Sequence, residues 1–165
     1  MKACENNYSQ QIWLGVLLLA GFLLAACDAP TVKVETIAPA MGTEIVMYKS
    51  PSCECCTGWA EHLRQAGFAV IESKQEDMDA IKVKYGVTEK LASCHTAIVD
   101  GYVIEGHVPA ADVVRLLKER PEVAGLTAPG MPMQSPGMQA DGLQPKNYNV
   151  LTFDRNGKSD VFTRY

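Results

Sequence analysis

The chain lacks an excess of positive charge, lacks an apolar run of membrane-spanning length and lacks any internal repeat. Its Lys+Arg total of 15 stands against an Asp+Glu total of 19, a formal net charge of -4 with a pI near 5.4. That balance gives no electrostatic grip on a phosphate backbone and excludes nucleic acid as a partner. The absence of a repeat period excludes a repeat array, and 165 residues leave room for one domain with a tail. Apolar residues are not scarce at 47%, and charged residues at 21% are not in excess, which excludes a wholly disordered chain. Nor is cysteine scarce. Six are present, and their placement needs a chemical reason.

The longest apolar run, Ile12 to Leu24, is shorter than the roughly 20 residues a spanning helix needs and suits the apolar segment of a secretory leader. The run is followed by Leu24-Ala25-Ala26-Cys27, which resembles the bacterial lipoprotein box. That resemblance implies a signal peptide over 1–26, acylation of Cys27 as the mature N-terminus, and a flexible tether through residue 43 that carries Pro30 and Pro39. An uncleaved anchor helix is the alternative. Either arrangement puts the domain outside the cytoplasm and tethered to a membrane. Asp28, directly after the lipidated position, resembles an inner-membrane retention signal and tilts the expected location toward that membrane.

With Cys4 in the leader and Cys27 committed to lipid, the remaining thiols are Cys53, Cys55, Cys56 and Cys94, all within the expected folded domain at 44–165. The run Ile45 to Tyr48, closed by Lys49-Ser50-Pro51, predicts a buried strand. Cys56, Trp59, Ala60, Leu63 and Ala66 recur at helical spacing, with Gly67 as the terminator. Phe68 to Ile71 predicts a second strand, and Asp77 to Tyr85 a second helix. Thr96 to Val99 and Tyr102 to Ile104 flank Asp100-Gly101, a strong hairpin signal. Pro109 opens a third helix whose apolar stripe is Ala110, Val113, Val114 and Leu117. The order β-α-β-α-β-β-α, with a cysteine loop after the first strand, is that of a thioredoxin-like α/β fold: a mixed β-sheet flanked by helices. A loop rich in Met, Pro and Gly over 128–146 and a C-terminal strand pair, near Val150 to Phe153 and Val161-Phe162, complete the expectation.

Cys53-Glu54-Cys55-Cys56 falls where the first strand meets the first helix. Free N–H groups and a partial positive charge at a helix N-terminus favour thiolate, the form that attacks disulfides and binds soft metals. Cys53 and Cys56 have the spacing of a redox dithiol, and as a pair they are the candidate catalytic residues. Cys55 adds a sulfur that disulfide exchange does not use, and Cys94, just before the third strand, is placed to face the cluster. Four thiolates suit Cu(I), one ion or more because thiolates bridge. Two disulfide bridges and a structural zinc site remain open at this point. His107 and His95 are further candidate ligands, whereas His62 lies off the apolar stripe of the first helix and is expected at the surface. Met131, Met133 and Met138 offer thioethers, soft enough for Cu(I), or else cover an apolar patch.

Four separated segments then resemble a known family: Tyr48 to Cys56, Leu91 to Ala97, Gly101 to Ala110, and Gly130-Met131-Pro132 with Ser135 to Met138. They are similar, in the same order, to the periplasmic thioredoxin-like proteins of copper tolerance called CopG, unrelated to the plasmid repressor of that name. The resemblance implies copper binding at the cysteine cluster, a link between thiol redox and copper redox, and other periplasmic copper-handling proteins as partners. Its rival is a plain thiol-disulfide oxidoreductase, with Cys53 as nucleophile and Cys56 as resolving thiol.

Overall fold

A computed structural model describes residues 42–165, so the leader, Cys27 and most of the tether lie outside the described residues. The elements are β1 (Glu44–Lys49), α1 (Glu54–Gln65), β2 (Ala69–Lys74), α2 (Met78–Lys84), β3 (His95–Val99), β4 (Tyr102–Gly106), α3 (Ala110–Glu119), β5 (Gly125–Ala128), β6 (Asn149–Phe153) and β7 (Ser159–Arg164). They form one seven-stranded sheet in the order β2-β1-β3-β4-β5-β6-β7. β1 and β2 run parallel through the α1 crossover, while β3 is antiparallel to both β1 and β4. This is the thioredoxin-like α/β arrangement, extended by β5, β6 and β7.

Local chemistry fixes the turns. Asp77 caps α2 by accepting the Ala80 N–H at 2.9 Å. Asp100 and Gly101 both have positive φ, 46° and 84°, which the tight β3–β4 hairpin requires. The short β5 was not evident from its four residues. It begins at Gly125 because a Cβ there would lie 1.8 Å from the Val103 carbonyl oxygen, so only glycine lets β5 pair with β4.

Side chains alternate across the sheet and divide the core. Ile45, Met47, Ala97, Val99, Ile104 and Leu126 pack with Trp59 and Leu63 of α1 and with Val113 and Leu116 of α3. On the other face, Val103 and Phe153 pack with Val87 and Leu91, with Tyr85 and Ile98 partly buried against them. The larger core also contains Cys56, with Cys53, Cys55 and Cys94 packed against it. The cluster therefore sits at the seam between the α1 N-terminus and the larger core.

Candidate metal centre

The centre is assembled from three places in the chain. The first is the turn between β1 and α1, where the Cys53 N–H donates to the Ser50 carbonyl at 3.2 Å and Cys53 occupies the N-cap of α1. Cys55 and Cys56 follow in the first helical turn. Cys53 and Cys56 are joined by a disulfide, and Cys55 and Cys94 are free thiols. Among the described residues a single bridge thus replaces the two that the cysteine count allowed, and it has the spacing of a thioredoxin-type dithiol.

The second place is the loop before β3. Cys94 Sγ lies 4.0 Å from Cys55 Sγ, which is itself 3.6 Å from Cys53 Sγ. The sulfur atoms of Cys53, Cys55, Cys56 and Cys94 all fall within 4.8 Å of one another. The ligand atoms of Cys94, His95 and His107 form a second such group, so Cys94 belongs to both.

His107, just beyond β4, is completely buried, with Nε2 2.9 Å from Cys94 Sγ and Nδ1 2.8 Å from the Pro136 carbonyl. A carbonyl only accepts, so Nδ1 carries the proton and Nε2 turns its lone pair toward the sulfur. Burial lowers the pKa of His107, with the Pro136 carbonyl opposing in part, and the ring stays neutral. His95 Nδ1 lies 3.4 Å from Cys94 Sγ, and the His95 ring rests 4.4 Å from that of Trp59. Burial, then His107, then Lys82 hold its pKa well below that of an ordinary imidazole. Burial also pushes the Cys94 thiol up to about 12, reinforced by Cys55 alongside. Without metal, Cys94 is therefore a thiol whose S–H points at a neutral imidazole, a proton that a binding metal must displace.

The third place is the strap after β5. Gly130 is tied back to the cysteine loop, since its N–H donates to the Ala92 carbonyl at 2.9 Å and its own carbonyl accepts from the Ser93 hydroxyl. Gly137, at φ +81°, then lies directly on α1: a Cβ there would come within 2.5 Å of the Trp59 nitrogen and 2.6 Å of the Cys55 carbonyl oxygen. This docking brings the Pro136 carbonyl to His107. The three methionines have different settings, for Met131 and Met133 are 59% and 70% exposed while Met138 is half-buried.

Two buried charges outside the cluster, and the setting of His62, were missed by sequence reasoning. Glu105 is fully buried and takes a 2.6 Å contact from Lys82; Lys49 is buried against Thr57 and Glu72. The signal for Glu105 was a carboxylate ending an otherwise apolar strand. His62, expected at the surface, is half-buried: its Nε2 accepts the Ala110 N–H at 3.0 Å and caps α3.

Comparison with known proteins agrees with this geometry. Residues 91–138, which hold Cys94, His95, His107 and the strap, match the family described as "Protein of unknown function, DUF411". Two solved structures, described as copper resistance protein copG, Form 1 and Form 2, are each 39% identical to this chain. Each comparison covers 75% of this chain and 98% of the other, with a TM-score of 0.69. No curated protein matches.

Proposed function

Because the chain belongs to the CopG family of copper resistance proteins, we propose that it binds Cu(I) through Cys53, Cys55, Cys56 and Cys94 and couples the redox state of these thiols to that of copper. The observation that carries this reading is the convergence of four sulfurs within 4.8 Å, with neutral His107 against the one that comes from a different loop. Soft thiolates prefer Cu(I), and imidazole adds a borderline donor that tolerates copper in either oxidation state. Cys53 and Cys56 must be reduced before all four sulfurs can bind. That requirement supplies the coupling: the dithiol gives up two electrons and two protons as it closes to the disulfide, reducing two Cu(II) to two Cu(I). Sulfurs not consumed in the bridge remain to hold the product.

Anaerobic titration of the reduced protein lacking residues 1–26 tests the reading. Cu(I) is expected to bind more tightly than Zn(II), and the disulfide form is expected to hold less Cu(I) than the reduced form. Failure to bind Cu(I), together with sustained reduction of insulin-type disulfides, would instead make the protein a thiol-disulfide oxidoreductase.

The proposed setting is the periplasm, on a lipid anchor at Cys27 and with Asp28 favouring the inner membrane, where other copper-handling proteins would exchange copper with it. Cys27→Ala is expected to abolish acylation and release the protein from the detergent-extracted membrane fraction, or leave its leader uncleaved. Unchanged acylation in that variant would refute the anchor.

A further inference from the structure

Glu105 has no solvent exposure, yet three donors converge on its carboxylate. The Ser93 N–H and the Lys82 ammonium each reach Oε1 at 2.6 Å, and the Thr96 hydroxyl reaches Oε2 at 2.7 Å. Ser93 and Thr96 immediately bracket Cys94 and His95. Thr96 and Glu105 are register partners in β3 and β4, flanked by Ala97 and Ile104 of the larger core, so they point away from the face that holds Cys56. Lys82 reaches them from α2, a helix that contributes no buried residue of its own.

Stability alone accounts poorly for this arrangement. Removing a carboxylate and an ammonium from water costs several kcal/mol each, and an apolar replacement for a buried ion pair is often neutral or better. What such a pair supplies is geometry, because two charge-assisted hydrogen bonds and a hydroxyl leave the carboxylate little freedom to turn. We infer that Glu105, held by Lys82, is a positioning residue: from the opposite side of the sheet it grips the chain on both sides of Cys94 and sets that sulfur against Cys55 and His107. The inference rests on the copper reading for its consequence, but the position of Cys94 can be read without copper.

Two variants isolate the grip. Thr96→Val removes one donor while keeping the shape and burial, and Thr96→Ser restores the hydroxyl. Loss of one such hydrogen bond is expected to weaken Cu(I) binding about fivefold, with Thr96→Ser within about twofold of the parent. Glu105→Gln, which loses the ion pair, is expected to weaken it about tenfold or more. Val103→Ala thins the same side of the sheet without touching the grip, so it is expected to lower the melting temperature and leave Cu(I) affinity unchanged. The second readout is the 15N chemical shift of His107 Nε2 in the reduced, metal-free protein, which follows the approach of the Cys94 thiol. It is expected to move in Thr96→Val and Glu105→Gln, and to return in Thr96→Ser. An unmoved shift in folded Thr96→Val would overturn the inference, as would Val103→Ala losing as much affinity as Thr96→Val. If the parent protein binds no Cu(I), the copper reading fails, and the shift series still decides whether Glu105 sets the position of Cys94.

Discussion

The soft donors of this protein fall into two regions built to opposite specifications. Cys53, Cys55, Cys56 and Cys94 are wholly or partly buried, packed on the main core and supplied by two separate segments, so their positions are largely set before any ion arrives. Met131 and Met133 stand mostly in solvent on the strap, with rotamer freedom to lose on binding. The strap itself is not loosely attached, since Gly137 lies against the α1 backbone and Pro136 accepts from His107. One segment therefore serves both regions, completing the enclosed centre with its backbone and presenting thioethers outward with its side chains. The difference suggests retention by the cluster and, at most, transient capture by the methionines.

The comparison breaks most severely if the enclosed region is opened. Cys55→Ser with Cys94→Ser removes both sulfurs that lie outside the disulfide and substitutes hard, protonated oxygens. Cu(I) affinity in a competition titration is expected to fall at least a hundredfold, about 2.8 kcal/mol. Cys53 and Cys56 remain, so reduction of a small disulfide substrate is expected to survive in that variant. Unchanged copper binding would shift the primary site elsewhere.

Gly137→Ala tests whether the strap is needed to complete the centre. The left-handed backbone disfavours a side chain, and the new Cβ would meet the Trp59 and Cys55 backbones, which cannot rotate aside. A loss of about 2 kcal/mol in denaturant unfolding is expected. A displaced strap would also deprive His107 of the Pro136 acceptor, so the 15N signals of both its ring nitrogens should change. Full stability with unchanged His107 signals would show that the strap does not hold the imidazole.

Acid sharpens the contrast further, because the enclosed side of the protein keeps its histidines neutral. Burial lowers the pKa of His62, partly offset by Asp141, and lowers those of His95 and His107 as well. The unfolded chain takes up these protons near pH 6.5, before the folded protein does. Stability of the metal-free protein is therefore fully present above that pH and is lost progressively as pH falls below it. His62→Gln keeps an acceptor for the Ala110 N–H without a titrating ring, and is expected to flatten part of this slope. An equal slope in the variant would show that His62 carries none of it.

Much of the centre was legible because its chemistry is local. The Cys53 to Cys56 spacing, the Asp100-Gly101 hairpin and the stripes of α1 and α3 are each written within a few adjacent residues. Cys94 could be matched to the cluster through strand order, since a fold that places one cysteine loop after β1 brings the loop before β3 beside it. The rest depended on contacts between distant segments. β5 is four residues long and is defined by the close approach of Val103, which no periodicity reveals. His62 lies off the α1 stripe, but α3 closes over it and gives it the Ala110 N–H as a partner. Glu105 lies one residue past the apolar run Tyr102 to Ile104, and the charge that lets it be buried comes from Lys82, 23 residues earlier.

The mildest intervention is on the methionines themselves. Met131→Leu with Met133→Leu keeps apolar bulk on the exposed strap and deletes both thioethers. If retention belongs to the cluster, equilibrium Cu(I) affinity should change less than about twofold, roughly 0.4 kcal/mol, because the buried sulfurs and His107 are untouched. A rate is the more sensitive readout, since exposed donors can form a first, short-lived complex that passes the ion inward. Transfer of Cu(I) from a weak chelator should then slow at low copper concentration while the end point stays fixed. Unaltered rate and affinity together would leave these methionines as surface residues, whereas loss of tight binding would make them part of the enclosed centre and remove the distinction between the two regions. Met138, half-buried on the same strap, provides the internal comparison. Met138→Leu should cost more affinity than the exposed pair if burial, rather than sulfur alone, decides which donors retain copper.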